Sequence, residues 1–391
     1  MSAPHFSRLG DYQIINTPGE KYRCYLPPPL PPRLMVTLEP MMTALERAGY
    51  AVGGLNGISS LLPNPELFLY MFVRKEALVS SQIEGTQCSL SDILLDDSGD
   101  ETEGSFDDVR EVSCYVDAME YGLARMRDGF PLSLRLIREI HGRLLAQGRG
   151  AGKQPGEFRT SQNWIGGTRP GTAMYVPPPP ERLMEFLGPF ELFLHAEEPM
   201  LPVLVRAALV HVQFETIHPF LDGNGRLGRL LITLLLCHAG VLRQPLLYLS
   251  LYLKQNRSQY YSLLQEVRER GNWEDWISFF LRGVRETAEQ AVDTARRILA
   301  LLATDRRRVE ETGQAASSTL RVFQILDRHP VTTITRVAEK TGLSYPTVQS
   351  AFNRLERLRI LTRSGTGKRN KRYAYKAYLD ILSEGTEPIR P

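Results

Sequence analysis

Apolar positions recur at helical spacing through most of the chain. Between Pro65 and Ile83, Leu67, Leu69, Phe72, Val73, Ala77 and Ile83 fall on one broad face, which predicts a helix over 65–83. The same periodicity predicts helices at about 38–48, 109–128, 133–147, 181–195, 201–217, 226–238 and 256–270, with Ser133 placed as an N-cap. A long charged pattern from 286 to 309 reads as a helical connector. Two stretches break the helical period. The first 32 residues are rich in Pro and aromatics and end in Leu26-Pro27-Pro28-Pro29-Leu30-Pro31-Pro32, which predicts extended chain laid over a helical body. Residues 161–176 hold two β-prone segments, Trp164-Ile165-Gly166-Gly167 and Met174-Tyr175-Val176, around Thr168-Arg169-Pro170-Gly171, and predict a hairpin.

From Ser317 the pattern changes. Helices at about 320–328, 334–340 and 345–358, with the turn Gly342-Leu343-Ser344 between the last two, have helix-turn-helix spacing. Ile360-Leu361-Thr362-Arg363 and Arg372-Tyr373-Ala374-Tyr375 then bracket a Gly-rich, basic tip, so the segment resembles a winged helix-turn-helix. Arg357, Arg359, Arg363, Lys368, Arg369, Lys371, Arg372 and Lys376 occur with no acid among them, a local footprint for DNA phosphates. Base contacts would fall to Ser344, Tyr345, Thr347, Gln349 and Asn353, and backbone contacts to Lys368, Arg369, Lys371 and Arg372. Winged helices also serve as dimerisation or protein-docking modules, so fold analogy leaves that choice open.

Composition adds exclusions. The 391 residues, 42% hydrophobic and 23% charged, suit a protein of two or three domains, and a net charge of +3 carries no global message. Cys24, Cys88, Cys114 and Cys237 lie far apart with no CxxC pair, which argues against a zinc site or a disulfide framework and fits a reducing cytoplasm. The most apolar run, 230–237, is too short to span a membrane, and the first residues lack a signal-peptide pattern. The acidic stretch 96–104 reads as a solvated loop without chemistry.

The chemistry concentrates in His218-Pro219-Phe220-Leu221-Asp222-Gly223-Asn224-Gly225-Arg226-Leu227-Gly228-Arg229. Gly223, Asn224 and Gly225 form a turn that opens into an apolar helix, so free N–H groups and a positive helix end converge there. Arg226 and Arg229, three apart, add two guanidinium forks, and a polyphosphate is the natural guest. Asp222 is placed to hold a magnesium ion bridging the phosphates. His218 is the side chain suited to removing a proton near neutral pH. Taken singly, Asp222 also suits a helix cap, and the arginines a solvated helix face.

This run resembles the core motif of the Fic family, HPFxDGNGRxxR, with His211, Phe214, Glu215 and Ile217 as its lead-in. The resemblance implies transfer of AMP from ATP, with magnesium, to Ser, Thr or Tyr hydroxyls of a protein substrate, self-modification included. His218 would be the base and Asp222 the metal ligand, with Gly223, Asn224, Gly225, Arg226, Leu227, Gly228 and Arg229 holding phosphates. It makes Tyr260 and Tyr261 candidate nucleoside contacts, although their spacing equally fits a helical core. Ser80, Glu84 and Gly85 resemble the family's inhibitory motif, in which the glutamate pairs with the second arginine, here Arg229. Trp164, Ile165, Gly166 and Gly167 resemble the flap that docks the target's backbone. The implied fold is mainly α: a Fic helical fold with a β-hairpin flap, plus a C-terminal winged helix-turn-helix. The expected division is 1–108 with the inhibitory helix, 109–285 as catalytic core, 286–316 as connector and 317–385 as the winged domain. Expected partners are a protein substrate and, through the winged domain, DNA; no membrane partner is expected, and a homodimer is left open. Two other readings keep the same site: a DNA-binding regulator that senses nucleotide, and an enzyme that removes AMP with Glu84 positioning water.

Overall fold

The computed structural model describes residues 7–32, 38–61, 65–96, 106–197, 201–313, 316–326, 329–364 and 371–388. A β-hairpin comes first, β1 (Asp11–Thr17) pairing antiparallel with β2 (Glu20–Leu26), Tyr12 opposite Tyr25. Pro18-Gly19 turns it, and Gly19 takes φ +90°, a value glycine adopts without penalty. The N-terminal stretch is therefore extended, as its composition predicts, but paired with itself.

The helical body follows as α1 (Leu38–Leu61), α2 (Pro65–Ile83), α3 (Leu90–Asp96), α4 (Phe106–Arg127), α5 (Leu134–Leu144), α6 (Leu183–His195), α7 (Val203–Ile217), α8 (Asn224–His238), α9 (Ser250–Gln255), α10 (Arg257–Arg270) and α11 (Trp273–Glu310). At the centre α7 packs on α8, and both are buried over almost their whole length. Helix α2 lies against α4 and α9, so its C-terminal end reaches the start of α8. Ser133 caps α5 by accepting a hydrogen bond from the Leu136 N–H. Helix α1 runs past its expected end at Ala48 because Ala48, Ala51, Val52 and Leu55 bury against α11. Helix α11 is a single 38-residue element that crosses residue 286 without a break. Residues 161–176 form less sheet than expected: one isolated bridge, Ile165 with Tyr175, closed by a 3₁₀ turn at Pro170–Thr172.

The C-terminal unit is α12 (Ala316–Leu326), β3 (Val331–Thr333), α13 (Ile334–Thr341), α14 (Tyr345–Arg357), β4 (Thr362–Ser364), β5 (Arg372–Ala374) and α15 (Lys376–Ser383). Its sheet order is β3-β5-β4, all antiparallel. It is docked on the body. Asp305 of α11 accepts from the Tyr375 hydroxyl (2.6 Å), and Arg297 bonds Glu384 at 2.7 and 2.5 Å. Beyond α15, the Thr386 carbonyl accepts from Gln82 Nε2 of α2 (2.7 Å), and Lys254 of α9 donates to Gln82 Oε1 (2.7 Å), the Gly385 carbonyl (3.3 Å) and the Glu387 carbonyl. Gly385 allows this approach: a β-carbon there would lie 2.8 Å from a Leu251 methyl, on a backbone with φ +79°.

Candidate active site

Two helix ends meet at the site. Helix α7 stops at His218, whose left-handed backbone (φ 50°, ψ 60°) turns the chain sharply; its N–H still donates to the Phe214 carbonyl at 2.9 Å. For a non-glycine residue that conformation is uncommon and held only by its surroundings. The surroundings are visible. Buried Arg159 donates through Nε to the His218 carbonyl (2.9 Å) and through Nη2 to that of Pro178 (2.5 Å), while its N–H bonds the Pro219 carbonyl (2.9 Å). Asn163 Nδ2 bonds the Phe220 carbonyl at 2.8 Å. His141 stacks on Phe220, ring centroids 3.7 Å apart. The Gly156 N–H donates to His141 Nδ1 (2.8 Å), so the neutral ring carries its proton on Nε2 and donates it to the Asp222 carbonyl (3.0 Å). Burial pulls the His141 pKa down to about 4 and keeps that tautomer neutral.

The loop then turns through Gly223 (φ 76°) into α8. Asn224 braces it from inside, accepting from the Phe220 N–H (2.9 Å) and donating to the Phe220 carbonyl (2.8 Å). Its side chain is thus spent on the loop, and any part in holding an anion falls to its backbone. Arg226 is 4% exposed, 3.8 Å from both Glu111 and Asp222, and its Nε and Nη1 have no hydrogen-bond partner among the described residues. Buried donors without acceptors are costly, so this fork is set for an anion.

His218 Nδ1 lies 3.3 Å from the Glu215 carbonyl, which can only accept, so Nε2 is the free lone pair. Burial first, then the Arg268 and Arg159 charges, lower the His218 pKa to about 4, leaving it neutral at neutral pH. The Glu215 carboxyl, 4.0 Å from Nδ1, is pushed by burial up to about 7.

The end of α2 lies against the first turn of α8. Arg229, 2% exposed, donates from Nε to Ser80 Oγ (2.9 Å) and from Nη2 to the Ser80 carbonyl (3.0 Å) and Glu84 Oε1 (2.7 Å). A β-carbon at Gly225 would stand 2.4 Å from Glu84 Oε1, so the carboxylate lies directly over the first turn of α8. Burial alone would raise the Glu84 pKa, but Arg229, Arg226 and His218 outweigh it and lower it. Thr86, just past that end, donates to Glu111 (2.9 Å), which Arg149 also holds through two bonds of 2.7 and 3.0 Å.

These elements match known proteins. A Fic/DOC family N-terminal model covers residues 42–124, and a Fic/DOC family model covers 131–236, the run that includes both helix ends. The chain carries a Fic/DOC-family domain. A winged helix-turn-helix DNA-binding model covers 317–362. Protein adenylyltransferase Fic of Drosophila grimshawi is 35% identical over 190 residues, 48% of this chain and 35% of that protein. That of Culex quinquefasciatus is 35% identical over 192 residues, 48% of this chain and 34% of the relative. The chain thus spans about a third of the length of these relatives. The crystal structure of a Fic family protein from Desulfovibrio desulfuricans G20 superposes with a TM-score of 0.57 at 20% identity, covering 88% of this chain and 98% of that one, which places the fold.

Within the Fic fold the expected residues separate. Ser80, Glu84, Gly225 and Arg229 meet at the first turn of α8, Arg226 lies 3.8 Å from Asp222 beside Gly223, and His218 ends α7 just before that loop. Leu227 is in the core, and Gly228 backs onto Glu215 and Phe214 rather than the pocket. Tyr260 is buried, its hydroxyl on His211 Nε2 (2.9 Å), so it is a core residue, while Tyr261 is 42% exposed beside Arg257. Trp164, Ile165 and Met174 are exposed on the flap, where Gly167 takes φ +70° and a β-carbon would strike the Thr172 carbonyl. On the winged unit Tyr345 and Asn353 are exposed on α14, and Gln349 bonds Asn353 (3.0 Å). Lys371 is exposed and Arg372 partly so; Lys368 and Arg369 lie outside the described residues, as do 97–104 of the acidic stretch. His141, Arg159, Asn163, Glu111 and Arg149 had no assigned part in the sequence reading.

No group of three or more His, Cys, Asp or Glu residues among those described could hold a metal by itself. Asp222 nevertheless fits magnesium carried by phosphates: its Oδ1 accepts the Gly223 N–H, Oδ2 has no hydrogen bond among the described residues, and one carboxylate plus phosphate oxygens and water is an ordinary magnesium shell. No described helix is long and apolar enough to cross a membrane.

Proposed function

We propose that the chain is a protein adenylyltransferase, transferring AMP from ATP to Ser, Thr or Tyr hydroxyls of a protein, and held in a restrained state by Glu84. The observation that carries this is the pairing of a neutral His218 with an anion nest whose second arginine is fully engaged by the end of α2. The relatives named protein adenylyltransferase support it.

His218 Nε2 takes the proton of the acceptor hydroxyl, whose oxygen attacks the α-phosphorus. The new O–P bond forms as the bond to the β-phosphate breaks, and pyrophosphate leaves. Arg226 and the N–H groups at the start of α8 hold the leaving oxygens in place. A magnesium ion, held by Asp222, would offset charge on the phosphates. Arg229 can serve the γ-phosphate only after releasing Glu84, whose carboxylate lies over the same helix end. That competition is the restraint.

The test is transfer of label from α-labelled ATP. The Glu84→Gly protein should label itself at least tenfold more strongly than wild type, and Glu84→Gly with His218→Ala should not label. Equal labelling with and without His218 would overturn the assignment.

A second activity, DNA binding, is favoured by the family match of 317–362 and by the exposed Tyr345 and Asn353 on α14. Neutralising Lys368, Arg369, Lys371 and Arg372 should abolish retention of the protein's own promoter fragment in a gel and flatten its salt dependence. Unchanged retention would remove DNA from the reading.

A further inference from the structure

The flap is anchored at its base, where the buried Tyr175 hydroxyl donates to the Thr216 carbonyl (2.5 Å) and Arg268 lies over its ring, but little within the flap holds its tip. Its own pairing is one bridge, Ile165 with Tyr175, and Met174 beside it is 79% exposed. A hydroxyl must be presented to His218 within a fraction of an ångström, so a loose flap would forfeit the gain from positioning. Support for the tip comes from the N-terminal hairpin. The hairpin β1–β2 lies before residue 42 and outside both matched Fic/DOC stretches. At its C-terminal end the Tyr25 N–H donates to the Val176 carbonyl (2.9 Å), the Tyr25 ring packs on Tyr175, and Arg182 Nη1 donates to Gln13 Oε1 (2.9 Å). At its turn, Glu20 reaches the flap tip: Oε1 accepts the Gly171 N–H at 2.8 Å and stands 3.5 Å from Arg169 Nε. Residue 171 is itself matched to this contact, since a β-carbon there would come within 2.6 Å of the Glu20 oxygen and displace it.

We infer that Glu20 is a positioning residue for protein adenylylation: it clamps the flap tip, from the N-terminal hairpin, so that the acceptor's backbone meets a fixed edge. The inference rests on the proposed transfer reaction and concerns the protein acceptor alone, because Glu20 touches nothing in the nucleotide pocket.

The experiment has two arms, both on the full-length chain. In the first, amide hydrogen exchange compares wild type with Glu20→Ala and Glu20→Gln. Glu20→Ala should speed exchange in 164–176 and leave 203–238 unchanged, whereas Glu20→Gln, which keeps a carbonyl acceptor, should stay near wild type. In the second, the Glu84→Gly enzyme modifies a His218→Ala copy of the chain as acceptor. Adding Glu20→Ala to the enzyme should raise KM for that acceptor about fivefold, the size a partly exposed charged hydrogen bond supports, with KM for ATP unchanged. Unchanged flap exchange, faster exchange throughout the chain, or an equal rise in KM for ATP would overturn the role of Glu20. If the Glu84→Gly enzyme itself fails to label the acceptor copy, the transfer reading falls, and the exchange arm still decides whether Glu20 holds the flap.

Discussion

Two residues set the pH behaviour of the site. His218 is held neutral by burial and by Arg268 and Arg159, with its pKa lowered to about 4. A base protonates, and stops working, as pH falls through its pKa, so His218 should impose no acid limb between pH 5 and 8. Glu215 faces the same ring and is raised by burial to about 7. In the Glu84→Gly enzyme, any inflection of the transfer rate near pH 7 should therefore belong to Glu215 and vanish in Glu215→Gln. An inflection near 6.5 that survives Glu215→Gln would show His218 to be solvated like a free imidazole. The residues that prepare His218 act through backbone carbonyls, which is why a substitution at Arg159 or Asn163 would disturb the loop rather than the reacting atoms.

At the scale of elements, the geometry of the run 218–229 was legible because its candidate groups are contiguous. Base, carboxylate, turn and both arginines lie within 218–229, and the turn-to-helix transition that unites them is local. The end of α2 was legible too, since Ser80 and Glu84 sit one helical turn apart and face Arg229 together. What escaped were the single side chains that brace the loop from other elements. His141, Arg159, Asn163 and Glu111 reach the site from separate elements, and their sequence neighbourhoods carry no sign of it beyond the Gly156-to-Arg159 run. Helix lengths failed for another reason. Gly49, Gly53, Gly54 and Gly57 each weaken a helix by up to about 1 kcal/mol, which predicts an end near Ala48. In the structure those glycines face open space while Ala51, Val52 and Leu55 bury against α11, and the burial outweighs the propensity. The Pro and aromatic content of the first stretch predicts extended chain and assigns it no pairing; in the hairpin Tyr12 and Ile14 are exposed.

For the whole molecule, the winged unit and helix α2 are parts of one packed body. Buried Gln82, two residues before Glu84, spends its amide on the Thr386 carbonyl, on the Cys88 carbonyl (3.3 Å) and on Lys254. Lys254→Ala strips Gln82 Oε1 of its donor and two tail carbonyls of theirs, at a cost of about 1–3 kcal/mol. The expected result is a lower unfolding midpoint, with faster amide exchange at 80–88 and 383–388 and unchanged exchange in α14. Equal exchange at 80–88 would show that the tail is not coupled to α2. The tie has a thermodynamic corollary. A ligand of the winged unit that binds more tightly when residues 385–387 leave Gln82 would loosen the end of α2 by that difference in affinity. ATP seated on Arg229 would then tighten the same ligand by an equal factor, because linkage between two sites runs in both directions.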